Sequence, residues 1–250
     1  MPKKKDAKKK PVKKKIKKTD VETWLEREQK EPHVREALEN ASRYFSRGDA
    51  LTVNTLEAVY GEESSFGVLR RNRGMKGAAG DFHIQKDTAE QYGLTVTEEN
   101  DQRFNIDYAS ITAARYLKDL NRFFRRPTKL NKERVTIPIE DIYERKKFVL
   151  ASYNMGQSYI AHAQQLAQEA GKDPTNWNDV KEFLEAAKLD PEIADKGRKY
   201  VDDILKNEVE FAQKSSADKK VKNKRPGKST GRCVSGHWIT KDRHHILICD

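Results

Sequence analysis

The chain predicts a mainly α-helical domain with long loops, a disordered basic N-terminal tail and a short C-terminal β-hairpin. Three observations carry this. Between positions 20 and 211 apolar residues recur at helical spacing. Strand-like alternation is scarce in the same stretch. Positive charge is piled at the two ends. Residues 1–18 hold eleven lysines against one aspartate, and residues 214–232 hold eight Lys or Arg against one aspartate. The net charge of the whole chain is +11, which leaves residues 19–213 mildly acidic, near −6. Only 36% of the 250 residues are hydrophobic, low for a globular chain, but they concentrate in that acidic body, where a core can form. The expected organisation is a polybasic tail over 1–18, a helical domain over 19–213, a basic linker over 214–232 and a hairpin over 233–250.

Along the chain, the tail cannot bury enough surface to offset its ordering entropy. Asp20 is the expected cap of a helical stretch carrying Trp24, Leu25, Val34, Ala37, Leu38, Ala41, Tyr44 and Phe45. A second apolar helix over Thr52–Tyr60 delivers Glu63 at or just past its end. Residues 67–85 are glycine-rich and aperiodic, and are expected as loop. Helices follow over Tyr108–Phe124, Asp141–Tyr153, Tyr159–Ala170, Asp179–Ala187 and Pro191–Phe211. Beyond the linker, Cys233–Cys249 predicts a hairpin turning near Lys241-Asp242, with Val234, Trp238, Ile246 and Ile248 on one apolar face. Such a hairpin is marginal alone, so packing on the body or a partner is expected.

Four short motifs stand in order on this scaffold: Glu62-Glu63-Ser64-Ser65-Phe66, Gly77-Ala78-Ala79-Gly80 leading to Thr88-Ala89, Ala151-Ser152-Tyr153-Asn154-Met155-Gly156, and Arg198-Lys199-Tyr200-Val201. Together they resemble the Slt-type lytic transglycosylases, which are related to goose-type lysozymes, over roughly Thr52 to Leu205. The resemblance implies a lysozyme-like fold and no cofactor or metal. It also implies cleavage of the β-1,4 bond between N-acetylmuramic acid and N-acetylglucosamine in peptidoglycan glycan strands, closing to a 1,6-anhydro product.

Protonating a glycosidic oxygen near neutral pH needs a carboxylic acid that burial keeps protonated, and a helix-end position beside Tyr60 and Phe66 offers partial burial. Most glycosidases use two carboxylates, with substrate-assisted exceptions. The resemblance implies one of these: Glu63 as acid and then base, the substrate's N-acetyl group stabilising developing charge, and its 6-hydroxyl attacking intramolecularly. Glu62 is the competing assignment, but the carboxylate directly before Ser64 matches the motif. The substrate-binding candidates are Ser64, Gly80, His83, Gln85, Tyr153, Asn154 and Tyr200. Gly80 would let backbone approach the sugar. His83 stands where the family has glutamine, and Gln85 shares that role. Tyr153 would bond the N-acetyl group or Glu63, or stack on sugar. Lys196 stands where the family's late motif has glutamate, with Asp195 out of register. Arg70, Arg71 and Arg73 are expected to contact anionic peptide stems or to be solvated.

No apolar run is long enough to span a membrane, and the basic N-terminus is not followed by the apolar segment of a signal peptide. Action on the cell wall outside the cytoplasm then implies carriage by a virion, specialised export or release on lysis. The basic tails suit anionic cell-wall polymers or nonspecific nucleic-acid contact; the protein is expected to be monomeric. Cys233, His237, His244, His245 and Cys249 are metal-ligand types. In a regular hairpin, however, Cys233 opposite Cys249 and His237 opposite His245 lie about 13 Å apart, too far for one tetrahedral zinc. A Cys233–Cys249 disulfide is compatible with an oxidising compartment. The competing functions are a muramidase of the same fold and a non-catalytic wall-binding or assembly component.

Overall fold

The computed structural model describes residues 18–70, 77–223, 236–241 and 244–249. It is mainly helical, as expected, and its contacts separate Met1–Ala212 from Gln213–Asp250. The expected polybasic tail lies outside the described residues, apart from Lys18.

The first helical stretch is two helices, α1 (Asp20–Lys30) and α2 (Pro32–Ser42). Thr19, one residue before the expected Asp20, caps α1. Its hydroxyl accepts from the Glu22 N–H at 3.2 Å, and the Glu22 carboxylate accepts from the Thr19 N–H at 3.0 Å. This reciprocal pair satisfies two orphan donors, and Asp20 falls in the first turn, where an acid complements the helix dipole. The break comes at Pro32, which lacks an N–H and restricts Glu31 before it. Tyr44 and Phe45 lie past the end of α2.

Helix α3 (Val53–Ser64) starts at Thr52 and has Leu56, Ala58, Val59 and Tyr60 almost fully buried. With Thr55, Glu57 and Ser64 buried as well, this helix runs through the core, not over the surface. It extends one turn beyond the expected Tyr60 and stops where Ser65 takes a left-handed φ of +53°. Glu63 therefore sits in its last turn. A short α4 (Lys86–Gln91) follows the glycine-rich loop. Helix α5 (Ile106–Arg125) buries Ala109, Ala113, Leu117, Leu120 and Phe124 along one face. That face packs on α2 and on α6 (Ile142–Met155), which in turn packs on α7 (Gln157–Glu169). The expected helix over 179–187 is instead α8 (Trp177–Val180) and a 3-10 turn, Lys181–Phe183. Val180, Leu184 and Ala187 are still buried, so the apolar spacing holds although the α-helical hydrogen bonding does not. Helix α9 (Pro191–Asn223) runs past Phe211 into the stretch expected as linker; its added lysines and alanine are good helix formers.

Strands β1 (Gly236–Lys241) and β2 (His244–Cys249) pair antiparallel. The register differs from expectation: Cys249 pairs with Gly236, His237 with Ile248, and Thr240 with His245. Trp238 pairs with Leu247 and Ile239 with Ile246, so Trp238 and Ile246 are out of phase and do not share the expected face. The observed pairing leaves two residues between the strands, the commonest antiparallel connection, whereas pairing 233 with 249 requires an odd number. Cys233 lies outside the described residues.

Two buried polar networks tie the helices together. Arg145 donates from Nε to Asn121 Oδ1 at 2.6 Å and from Nη2 to the Gly48 carbonyl at 3.0 Å, while Asn121 donates to Asp49 at 2.7 Å. At the other network Arg35 on α2 binds fully buried Glu57 on α3 and reaches Glu28 on α1 at 3.9 Å.

Burial pushes the Glu57 carboxyl up to about 8 against the pull of Arg35, and pushes Glu28 up as well. A carboxyl raised in the folded state stabilises the fold fully below its ordinary value, and that contribution is lost as pH rises through about 8. Thermal melts between pH 5 and 8.5 should show Tm falling with rising pH through this group, and Glu57→Gln should flatten the slope. An unchanged slope in the variant contradicts the assignment.

Candidate active site

A cleft of about 320 Å³ opens at the C-terminal end of α3, bounded by the Ala78–Thr88 segment, Tyr116 of α5 and the α6–α7 junction. Its floor is Glu63. The side chain is 12% exposed and both carboxylate oxygens are engaged. Tyr200 on α9 donates its hydroxyl to Oε1 at 2.9 Å, and Nδ1 of His83 lies 3.0 Å from Oε2. Among the described residues lining the cleft, Glu63 is the sole carboxylate.

Tyr200 reaches Glu63 because α9 packs tightly against the end of α6: a Cβ at Gly197 would overlap the Met155 side chain. Burial, and then the charge of Glu63, push the Tyr200 and Tyr153 phenols well above their ordinary value, so both remain hydrogen-bond donors. Tyr153 lines the cleft but donates to the Phe82 carbonyl at 2.9 Å, anchoring the loop instead of binding Glu63 directly. Its ring packs on Tyr116, with centroids 5.4 Å apart.

The loop is framed by residues that the sequence motifs do not include. Arg103, 1% exposed, donates from Nη1 to the carbonyls of Gly77 and Ile84 at 2.6 and 3.2 Å, and is clamped by Asp101 at 2.6 Å. Buried Asp81 accepts from Arg70 Nε at 2.7 Å and from the Tyr60 hydroxyl at 3.4 Å. Burial raises the Asp81 carboxyl, opposed by Arg70. Arg70, itself 38% exposed, thus ties the loop through buried Asp81; Arg71 and Arg73 lie outside the described residues. An arginine read in sequence gives no sign that it will pair with a buried carboxylate.

The expected binding residues divide accordingly. His83, Gln85, Tyr153 and Asn154 line the cleft, with Gln85 and Asn154 exposed at its rim. Tyr200 lies beneath it, against Glu63. Ser64 and Gly80 are not among the described residues that line the cleft. Ser64 is fully buried; its hydroxyl donates to the Tyr60 carbonyl at 3.3 Å and accepts from the Gly67 N–H at 3.0 Å, which braces the helix end. Gly80, at φ +79°, lets the chain pass Arg103, whose carbonyl a Cβ would overlap, so its freedom serves packing and not sugar approach. Both nitrogens of the His83 ring face protein groups, with Nε2 3.2 Å from the Leu69 carbonyl. Its φ of +43° is a strained left-handed geometry, costing roughly 1–3 kcal/mol, that such contacts hold in place. Glu62 points to α9 and accepts from Asn207 at 2.7 Å. Lys196 pairs with Glu192 on the surface, and Asp195 with Arg198.

The family model of the Transglycosylase SLT domain matches residues 42–176, a span that holds Glu63, the framed loop and Tyr153. The chain belongs to this family. It is 31% identical over 129 residues to membrane-bound lytic murein transglycosylase F of Desulfosudis oleivorans, covering 52% of this chain and 24% of the relative. It is 31% identical over 150 residues to membrane-bound lytic murein transglycosylase F 2 of Alkalilimnicola ehrlichii, covering 59% and 29%. A 41-residue stretch is 56% identical to membrane-bound lytic murein transglycosylase F of Marinobacter nauticus, covering 16% and 8%. The chain thus spans less than a third of the length of these relatives. Among its described residues no helix is long and apolar enough to cross a membrane. Tyr200 lies beyond the matched SLT span and is added to the site by α9.

Gly80→Ala should cost about 1–3 kcal/mol of stability through overpacking against Arg103, measured as a lower denaturant midpoint. Wild-type stability combined with lost glycan binding would return Gly80 to the sugar.

Proposed function

We propose that this SLT domain is a peptidoglycan lytic transglycosylase that cleaves between N-acetylmuramic acid and N-acetylglucosamine and leaves a 1,6-anhydro end. The observation that carries this reading is a single largely buried carboxylate on the floor of a cleft, with an aromatic wall and no second acid among the described lining residues. A mechanism with two flanking carboxylates has no second group there, so one carboxyl must act twice.

Glu63 protonates the leaving oxygen as the bond to the anomeric carbon breaks. The N-acetyl group of the substrate stabilises the positive charge left on that carbon. The 6-hydroxyl then bonds to the same carbon and returns its proton to Glu63. Tyr200 keeps the carboxyl oriented through both steps, and the attacking hydroxyl is already tethered, which removes the entropy cost of recruiting water. Gln85 and Asn154 supply polar groups at the rim, and Tyr116 with Tyr153 supplies an apolar wall for a sugar face. The names of the relatives support the substrate class. On this reading the site of action is the cell wall, and the basic ends of the chain favour contact with its anionic polymers.

Glu63→Gln keeps the shape of the side chain and removes the transferable proton. It should lower cleavage of purified sacculi by at least 10²–10⁴-fold, with circular dichroism and wall binding preserved. Retained cleavage refutes the assignment.

A further inference from the structure

His83 occupies a place where its two ring nitrogens have opposite requirements. Nε2 faces the Leu69 carbonyl at 3.2 Å, and a carbonyl can only accept, so Nε2 carries a hydrogen. Nδ1 faces Oε2 of Glu63 at 3.0 Å. A neutral ring with its hydrogen on Nε2 has a lone pair at Nδ1, so that contact requires a proton between ring and carboxyl. The proton rests on Glu63 with a neutral ring, or on Nδ1 beside a carboxylate. Removing it sets a lone pair against a negative oxygen. The ring is largely enclosed, 8% exposed, and its backbone is held at a left-handed φ.

We propose that His83 is a positioning residue that shares the catalytic proton of Glu63, so that the unit that gives and takes back the proton is the Glu63–His83 pair. This rests on the reading of Glu63 as the acid and base of glycan cleavage. When the glycosidic bond breaks, its electron pair stays with the leaving oxygen and the proton of the pair goes to that oxygen. The pair is then left in its repulsive form, which strengthens its pull on the proton of the attacking 6-hydroxyl. As that oxygen bonds to the anomeric carbon, its proton restores the pair.

Among the described residues, Tyr200, Tyr153, Tyr116 and Glu62 do not replace this proton. Tyr200 on α9 donates to the opposite oxygen, Oε1. Tyr153 on α6 feels the charge of Glu63 but donates to Phe82. Tyr116 on α5 donates to Gln157 at 3.2 Å, and Glu62 on α3 is turned to Asn207. Glutamine at position 83 can donate to Oε2 but cannot take up a proton from Glu63, so His83→Gln separates the two functions.

The test is the pH dependence of glycan cleavage in wild type and His83→Gln, with folding checked by circular dichroism. The alkaline limb of the variant should move to lower pH by about one unit or more, with KM nearly unchanged. A profile lowered uniformly at every pH makes His83 structural, and a raised KM with unchanged kcat makes it a sugar contact; either overturns the proposal. Cleavage by Glu63→Gln would instead overturn the underlying reading. If His83→Gln does not fold, ¹⁵N resonances of the His83 ring in the wild-type protein decide. Nε2 should stay protonated throughout and the Nδ1 resonance should move with the alkaline limb as the shared proton is lost; a neutral ring protonated on Nδ1 contradicts the shared proton.

Discussion

The last turn of helix α3 carries the carboxylate of Glu63, and the rest of the site depends on how that group is partnered. Helix α3 is enclosed along most of its length, so its last turn cannot offer Glu63 the full hydration of a surface side chain. A carboxyl in that position needs partners with defined geometry, because a buried ionisable group left unpaired is costly. Tyr200 and His83 supply them from opposite sides, and both are brought there by distant parts of the chain. The helix itself is stopped by left-handed Ser65, whose hydroxyl accepts from Trp24 Nε1 at 3.0 Å and whose carbonyl is held by Arg27. The position of the reactive group is therefore set by α1, α9 and the glycine-rich loop together.

The loop shows how a flexible composition becomes a rigid wall. Arg103 binds both ends of the Gly77–Ile84 segment from inside, and Asp81 ties its middle to Arg70 and Tyr60. These buried charges make hydrogen bonds to fixed backbone groups or to each other, the condition under which burying a charge is tolerable. The outcome is a His83 ring held to within hydrogen-bond distance of Glu63. Precision at this scale matters, since proton transfer depends on heavy-atom separations near 3 Å.

Much of this was legible in the sequence, for identifiable reasons. The helical class and the main helices followed from apolar spacing, which reports burial directly. Glu63 followed from its motif and its place after an apolar run. Helix ends were harder: Thr19 and Asp20 are both acceptable caps, and only the Glu22 carboxylate turning back decides between them. Gly80 and Ser64 were ambiguous because a glycine or a serine beside a catalytic motif has the same sequence signature whether it faces substrate or the protein interior. Arg103 was invisible as a loop tie, since the groups it holds in the loop are backbone carbonyls that carry no sequence signal. His83 stood out as a departure from the family pattern, but its partner could be found only in three dimensions. The hairpin register depended on the number of residues between the strands, which alternation alone does not fix.

The chemistry then reduces to a single question of who attacks the anomeric carbon. With one carboxyl in the cleft among the described lining residues, closure by the substrate's own 6-hydroxyl needs no second protein base. A hydrolase would need water to be positioned and activated as well. Mass spectrometry of the muropeptides released from purified sacculi reads the answer from the ends of the cut strands. Muramic acid ends in the 1,6-anhydro form, each 18 Da lighter than its hydrated counterpart (about one water by mass), are the expected result. Reducing ends in their place would contradict it.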